Sequence, residues 1–272
     1  MKFFRPFCVS MAALALVTHS QAAVFSANFE SSDGYNNAAD QNVAGQNGWV
    51  IDDASDQLSF FQFLGSTSNN AAAVGGYYAE PTTGSVALSH PINEPLDNTT
   101  VRMSFSIQAS TAGYPGADSF SVNFDNDTVP TNFPLFSIAF EPFPSIANGL
   151  AIVWYDAANT RTASLNVLFY AGLYDLTVSF TASGADTLFS ARVAEQISSQ
   201  GINFSGVLPG ASAASLDNLG VGFKRDATAT VSGDNHILFD NINVGPTPPI
   251  PEPSAVMAIL SAFGCALIRR RR

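Results

Sequence analysis

The sequence predicts an all-β protein, a single jelly-roll or β-sandwich domain set between two apolar terminal segments. Three observations carry that prediction. Apolar residues recur at every second position, Gly, Asn, Asp and Pro clusters interrupt the runs, and 22 phenylalanines supply a core.

The first element is a signal peptide over residues 1–22. Lys2 and Arg5 form a positive leading region, Cys8 to Val17 an apolar stretch, and Ser20-Gln21-Ala22 a small-residue cleavage site. Cys8 precedes the apolar stretch, which does not fit a lipoprotein signal, so the chain reads as exported. The β domain, residues 23–244, opens with Phe25-Ser26-Ala27-Asn28-Phe29-Glu30. A Gly/Asn loop and Gly45-Gln46-Asn47-Gly48-Trp49 follow.

Further strands are read from alternation. Val101, Met103, Phe105, Ile107 and Ala109 alternate with Arg102, Ser104, Ser106 and Gln108. The same period recurs at Phe120-Val122-Phe124, Phe136-Ile138-Phe140, Tyr174-Leu176-Val178-Phe180 and Leu219-Val221-Phe223. About a dozen short strands point to a sandwich. One stretch, Ala191 to Ser199, is expected to hold a turn of helix. No internal repeat is visible, which argues against solenoids and propellers. The last strand is Ile237-Leu238-Phe239-Asp240-Asn241-Ile242-Asn243-Val244.

After the domain come a proline-rich linker, residues 245–250, and the segment 251–272. Ser254 to Ile268 carries no charge. As a helix these residues span about 22 Å, short of a hydrocarbon core of about 30 Å. Arg269, Arg270, Arg271 and Arg272 close the chain and suit a cytoplasmic headgroup region. A short transmembrane helix held by terminal arginines fits transient anchoring in an inner membrane better than permanent residence.

Proline-rich spacer, Pro251-Glu252-Pro253, apolar helix and arginine cluster together resemble the PEP-CTERM sorting signal of Gram-negative bacteria. That resemblance implies an exosortase-type processing enzyme as partner and cleavage near the motif. It also implies a cell-surface or extracellular-matrix destination, in association with exopolysaccharide or biofilm. The opening "F…FE…GQ.GW" and closing "DNI.V" strands resemble bacterial concanavalin A-like lectin/glucanase jelly rolls. In that architecture the first and last strands pair.

Composition limits the chemistry. Between Ala23 and Pro253 five basic residues face 22 acids, so nucleic acid is excluded as a partner. The two cysteines, Cys8 and Cys265, both lie in the terminal segments, which removes disulfides, thiolate metal sites and cysteine catalysis from the domain. His90 and His236 read as ordinary strand-end polar residues, and no G-x-S-x-G elbow accompanies them. Glucanases of the jelly-roll class carry alternating carboxylates on one strand. Here Glu30, Glu80, Glu94, Glu141, Glu195 and Glu252 are scattered singly, which argues against an enzyme.

Two kinds of binding residue remain. Asp125 and Asp127 offer closely spaced oxygens for calcium, as does the Asp52-Asp53-Ala54-Ser55-Asp56 run, although turns also favour Asp for backbone reasons. Trp49, Tyr114 and Tyr155 are the sugar-binding candidates, aromatics beside polar loop-like segments, with Tyr77 and Tyr78 of the same kind. Trp154 reads as core. The reading is a non-enzymatic exported surface or matrix protein. The alternatives are a carbohydrate-binding lectin-like module using calcium and, third, an extracellular glycoside hydrolase.

Overall fold

A computed structural model describes residues 23–38, 41–51, 59–65, 69–75, 85–108, 118–126, 135–143, 146, 149–198, 200–225 and 235–247. Residues Ala23–Pro249 form one compact unit. Segment 1–22, Tyr77, Tyr78, Tyr114, the 52–56 run, Asp127, Pro251, Glu252, Pro253, residues 254–268 and Arg269 to Arg272 lie outside the described residues. Among the described residues no helix is long and apolar enough to cross a membrane.

The strands are β1 (Phe25–Ala27), β2 (Val50–Ile51), β3 (Ser59–Phe63), β4 (Asn70–Gly75), β5 (Ser85–Pro95), β6 (Thr99–Gln108), β7 (Ser119–Asp125) and β8 (Phe136–Pro142). They continue as β9 (Gly149–Asp156), β10 (Arg161–Phe169), β11 (Tyr174–Ser183), β12 (Asp186–Glu195), β13 (Gly201–Leu208), β14 (Ser215–Lys224) and β15 (His236–Pro246). Between β1 and β2 lies one turn of 3₁₀ helix, Ser31–Asp33. Two antiparallel sheets result. The eight-stranded sheet runs β13-β12-β11-β6-β15-β4-β3, with β1 added on β15. The seven-stranded sheet runs β10-β9-β8-β7-β14-β5-β2.

Alternation sets the two layers. Val101, Met103, Phe105 and Ile107 of β6 meet Phe120, Val122 and Phe124 of β7 in one continuous core. Burying each phenylalanine contributes about 1.5–3 kcal/mol, which is how a domain without disulfides holds together. Phe25 pairs with Val244 and Ala27 with Ile242, so the first and last strands close the sheet together.

Two local readings change. The expected helical turn near Ala191 is strand: β12 continues to Glu195, with Phe189, Ala191 and Val193 facing the core and Leu188, Ser190 and Arg192 facing out. Its partners β11 and β13 supply ladder bonds on both sides, which override a weak local preference. The last strand also runs two residues into the proline-rich stretch. Gly245 pairs with Thr100 and Pro246 with Thr99, and the Thr247 amide donates to Asn98 O. The missing N–H of Pro246 falls at the strand end, where a ladder tolerates it best.

Candidate functional site: the outer face of the seven-stranded sheet

On β8 the residues facing the core are Phe136, Ile138 and Phe140; on β9 they are Leu150, Ile152 and Trp154. The alternate positions, Ser137, Ala139, Glu141, Ala151, Val153 and Tyr155, therefore share the outer face. Ala139, Ala151 and Val153 form a small apolar cluster there, and Phe143 and Tyr155 pack on it. Trp154 stacks on Phe204 from the other side of β9, with ring centroids 5.0 Å apart, as a core residue would.

The hairpin after β9 delivers the charge. Asp156 Oδ1 accepts from the amides of Ala158 and Thr160, and Asn159 takes φ 59°, a left-handed turn position that asparagine tolerates. The turn sets Arg161 directly opposite Tyr155. Arg161 Nη2 and Nε donate to Glu141 Oε2 at 2.7 and 3.3 Å, while the Tyr155 hydroxyl donates to Glu141 Oε1. Glu141 is thus gripped on both oxygens. Burial, then the hydrogen bond and charge of Glu141, push the Tyr155 phenol above its ordinary range. The same carboxylate raises the Arg161 guanidinium.

Beyond this triad the face is small and polar. Ser137 Oγ donates to Asn123 Oδ1 at 2.9 Å. Gly220 and Gly222 of β14 follow, and a Cβ at Gly222 would meet Ser121 Oγ at 2.5 Å. The arrangement therefore offers an aromatic ring on an apolar bed, a fixed carboxylate–guanidinium pair, and a row of hydroxyl and amide groups. Such a surface suits a pyranose ring, which has apolar C–H faces and equatorial hydroxyls.

The predicted residues scatter. Tyr155 sits on this surface, on β9 next to the edge strand β10. Trp49 does not: it is 1% exposed, its Nε1 donates to Tyr35 Oη at 3.0 Å, and it packs among Phe29, Phe239 and Phe25. The turn before it, with left-handed Gly45, Asn47 and Gly48, tucks the indole inward, so Trp49 is core and no sugar platform. Asp125 ends β7 on the same outer face as Asn123. The adjacent Asn126 amide nitrogen is spent on Ser215 O and Oγ. Among the described residues no three His, Cys, Asp or Glu side chains converge as a metal site. His90 stacks on Phe25 at 4.1 Å and bridges Pro91 O and Asn47 O, and His236 bonds Gln62 Oε1 at 2.8 Å. Both are structural. Sequence reasoning missed Glu141 and Arg161 as site residues; only strand pairing brings them together.

A second feature is a cleft of about 340 Å³ between the end of β5 and the loop before β14. Glu94 and Asp217 line it with Asn93, Ser212 and Ser215.

No protein-family model matches the chain, and no curated protein matches it in sequence. Solved structures resemble it in fold. The CBM2 module of the evolved Dit of Lactobacillus casei BL23 phage J-1 superposes with a TM-score of 0.51 at 11% identity, covering 82% of this chain and 95% of that one. Winged bean acidic lectin, complexed with methyl-α-D-galactose, gives 0.48 at 11% identity over 76% and 97%. The exoplasmic/lumenal domain of VIP36 gives 0.48 at 13% identity over 76% and 90%. The chain is a two-sheet antiparallel β-sandwich, a fold it shares with the CBM2 module. At such identity the likeness is one of fold alone.

Proposed function

We propose that this chain is an exported bacterial surface or matrix protein that holds extracellular polysaccharide on the outer face of its seven-stranded sheet, without enzymatic activity. One observation carries the reading: Tyr155 lies on an apolar bed with its hydroxyl fixed by a Glu141 that Arg161 also grips. A platform locked before the ligand arrives loses little entropy on binding. The C-terminal segment supports delivery to the surface, with Pro251-Glu252-Pro253 as the motif read by an exosortase-type enzyme and the arginines holding the tail at the inner membrane.

The experiment has two readouts on protein recovered from producing cells. Mass spectrometry is expected to find a C-terminus near Pro253, and the cells' exopolysaccharide is expected to retain the protein. Intact arginine tails in the surface fraction would defeat the sorting half, and free passage over the polysaccharide would defeat the binding half. A hydrolytic reading has one observation behind it, the two carboxylates Glu94 and Asp217 in one cleft. Release of reducing ends from that polysaccharide, abolished by Glu94→Gln, would favour it.

A further inference from the structure

The apolar bed under Tyr155 does not end with Ala139, Ala151 and Val153. Gly149 is the next outward position of β9 beyond Ala151, and a Cβ there would meet Val167 Cγ1 at 2.8 Å and Ile146 Cβ at 3.0 Å. Two apolar side chains therefore close over the glycine. Phe169 of β10 pairs with Gly149, while Leu168 before it is buried in the core, so Phe169 faces out on the same side. Phe143 joins the two ends by packing on the bed. From Tyr155 back to Gly149 the strip follows six residue steps of β9, about 20 Å.

Phe169 and Ile146 are its exposed members, at 52% and 39%. Both are held there by main-chain bonds. The Phe169 amide donates to Tyr174 Oη at 3.0 Å, and the same hydroxyl donates to Phe169 O at 3.2 Å. The Ile146 amide donates to Phe143 O, and Ile146 O accepts from the Gly149 amide, at 3.0 Å each. The frame thus presents a phenylalanine and an isoleucine to water in continuity with the Tyr155 surface. A contiguous apolar patch of this kind marks a place of contact.

The strip changes character along its length. At the Tyr155 end stand a phenol, a carboxylate and a guanidinium. At the other end Phe143, Ile146, Val167 and Phe169 carry no side-chain donor or acceptor. A ligand that matches both ends bears hydroxyls and also uncharged, methyl-bearing groups. Charge narrows the class further. With five basic residues against 22 acids between Ala23 and Pro253, the domain repels an anionic polymer. Arg161 is already engaged by Glu141, and Lys224, also outward on this sheet, ends β14, three strands from β9.

We propose that the polysaccharide held on this face is neutral and O-acetylated, with a pyranose ring on Tyr155 and ester methyl groups on Ile146 and Phe169. The inference rests on the polysaccharide reading above and adds the chemical class of the ligand. An acetyl ester suits the apolar end because its methyl removes Phe169 and Ile146 from water while its carbonyl stays in solvent.

The test uses the exopolysaccharide of the producing cells in two forms: one saponified with mild alkali, the other saponified and then chemically O-acetylated. Affinity electrophoresis compares the full-length chain on both, with equal melting midpoints as the folding check on each variant. Wild-type protein is expected to bind the acetylated form at least about fourfold tighter, the factor that one buried methyl contributes. Phe169→Ser and, separately, Ile146→Ser should lose most of that preference. Val207→Ser, an exposed apolar position on β13 of the other sheet, should keep it. Equal affinity of the wild-type chain for the two forms would overturn this inference and leave the polysaccharide reading standing. Failure to bind either form would remove both. A preference kept by both Phe169→Ser and Ile146→Ser, or lost in Val207→Ser, would overturn the inference as well. So would retention that falls steeply with added salt, the mark of an anionic ligand. A dimer in sedimentation that Phe169→Ser dissolves would assign the strip to a second copy of the chain and overturn it too.

Discussion

The outer faces of the two sheets arise from the same alternation yet treat their acidic residues in opposite ways. On the seven-stranded sheet, Glu141 is 24% exposed and fully engaged, bonded to Arg161 on one oxygen and Tyr155 on the other. On the eight-stranded sheet, Asp240 is wholly buried with both oxygens orphaned. Solvent and a guanidinium stabilise the first carboxylate where it stands. The second has neither, and burial raises its carboxyl to about 6. Outward position on a strand therefore does not decide environment.

The largest effect is expected where neither face is involved. Trp49→Ala removes a fully buried indole and should destabilise the domain by about 3–5 kcal/mol in urea unfolding. A small loss of stability together with a loss of polysaccharide retention would instead return Trp49 to the binding surface.

The next effect is specific to the eight-stranded face. The folded Asp240 carboxyl titrates at about 6, against an ordinary 3.8. With the folded value raised, its stabilising contribution is complete below the unfolded value and is lost as pH rises through about 6. Wild-type protein should therefore lose stability between about pH 4 and pH 6.5 relative to Asp240→Asn, whose side chain does not titrate. Parallel pH profiles for the two proteins would show that Asp240 is not perturbed. Glu30 and Asp33, the acids that face it, are present in both proteins and cancel in the comparison.

On the seven-stranded face the effects on stability are small. Glu141→Gln breaks an ion pair whose arginine is half exposed, so unfolding should change by less than about 1 kcal/mol. The Tyr155 phenol is a sharper reporter. Its pKa should fall in Glu141→Gln but stay above the ordinary value, because burial is the larger cause. Ultraviolet titration against Tyr155→Phe reads this directly, and an unchanged phenol would mean that the carboxylate does not reach it.

Much of this molecule was legible from period-two alternation. The inward rows of β6, β7, β8, β11 and β14 are those the sequence marks out, because a one-residue slip would turn each row to solvent. The pairing of first and last strands was also expected. Tyr155 could be singled out because it is an aromatic beside a polar loop-like segment. Glu141 and Arg161 could not, since 20 residues and a strand register separate them. Trp49 misled because glycines around an aromatic read as an exposed loop, whereas here their left-handed turns drive the ring into the core. Asp240 was visible only as a polar residue in a strand motif. Its burial is a tertiary property that no local pattern encodes.

The claim that matters most is that the Tyr155 surface holds carbohydrate, and affinity electrophoresis tests it most directly. Wild-type full-length protein and Tyr155→Ala are run through gels containing the exopolysaccharide of the producing cells, with equal melting midpoints as the check on folding. The account predicts retardation of the wild-type chain and at least a tenfold loss of affinity in Tyr155→Ala, the size expected when an aromatic anchor is removed. Equal retardation of the two proteins would contradict it.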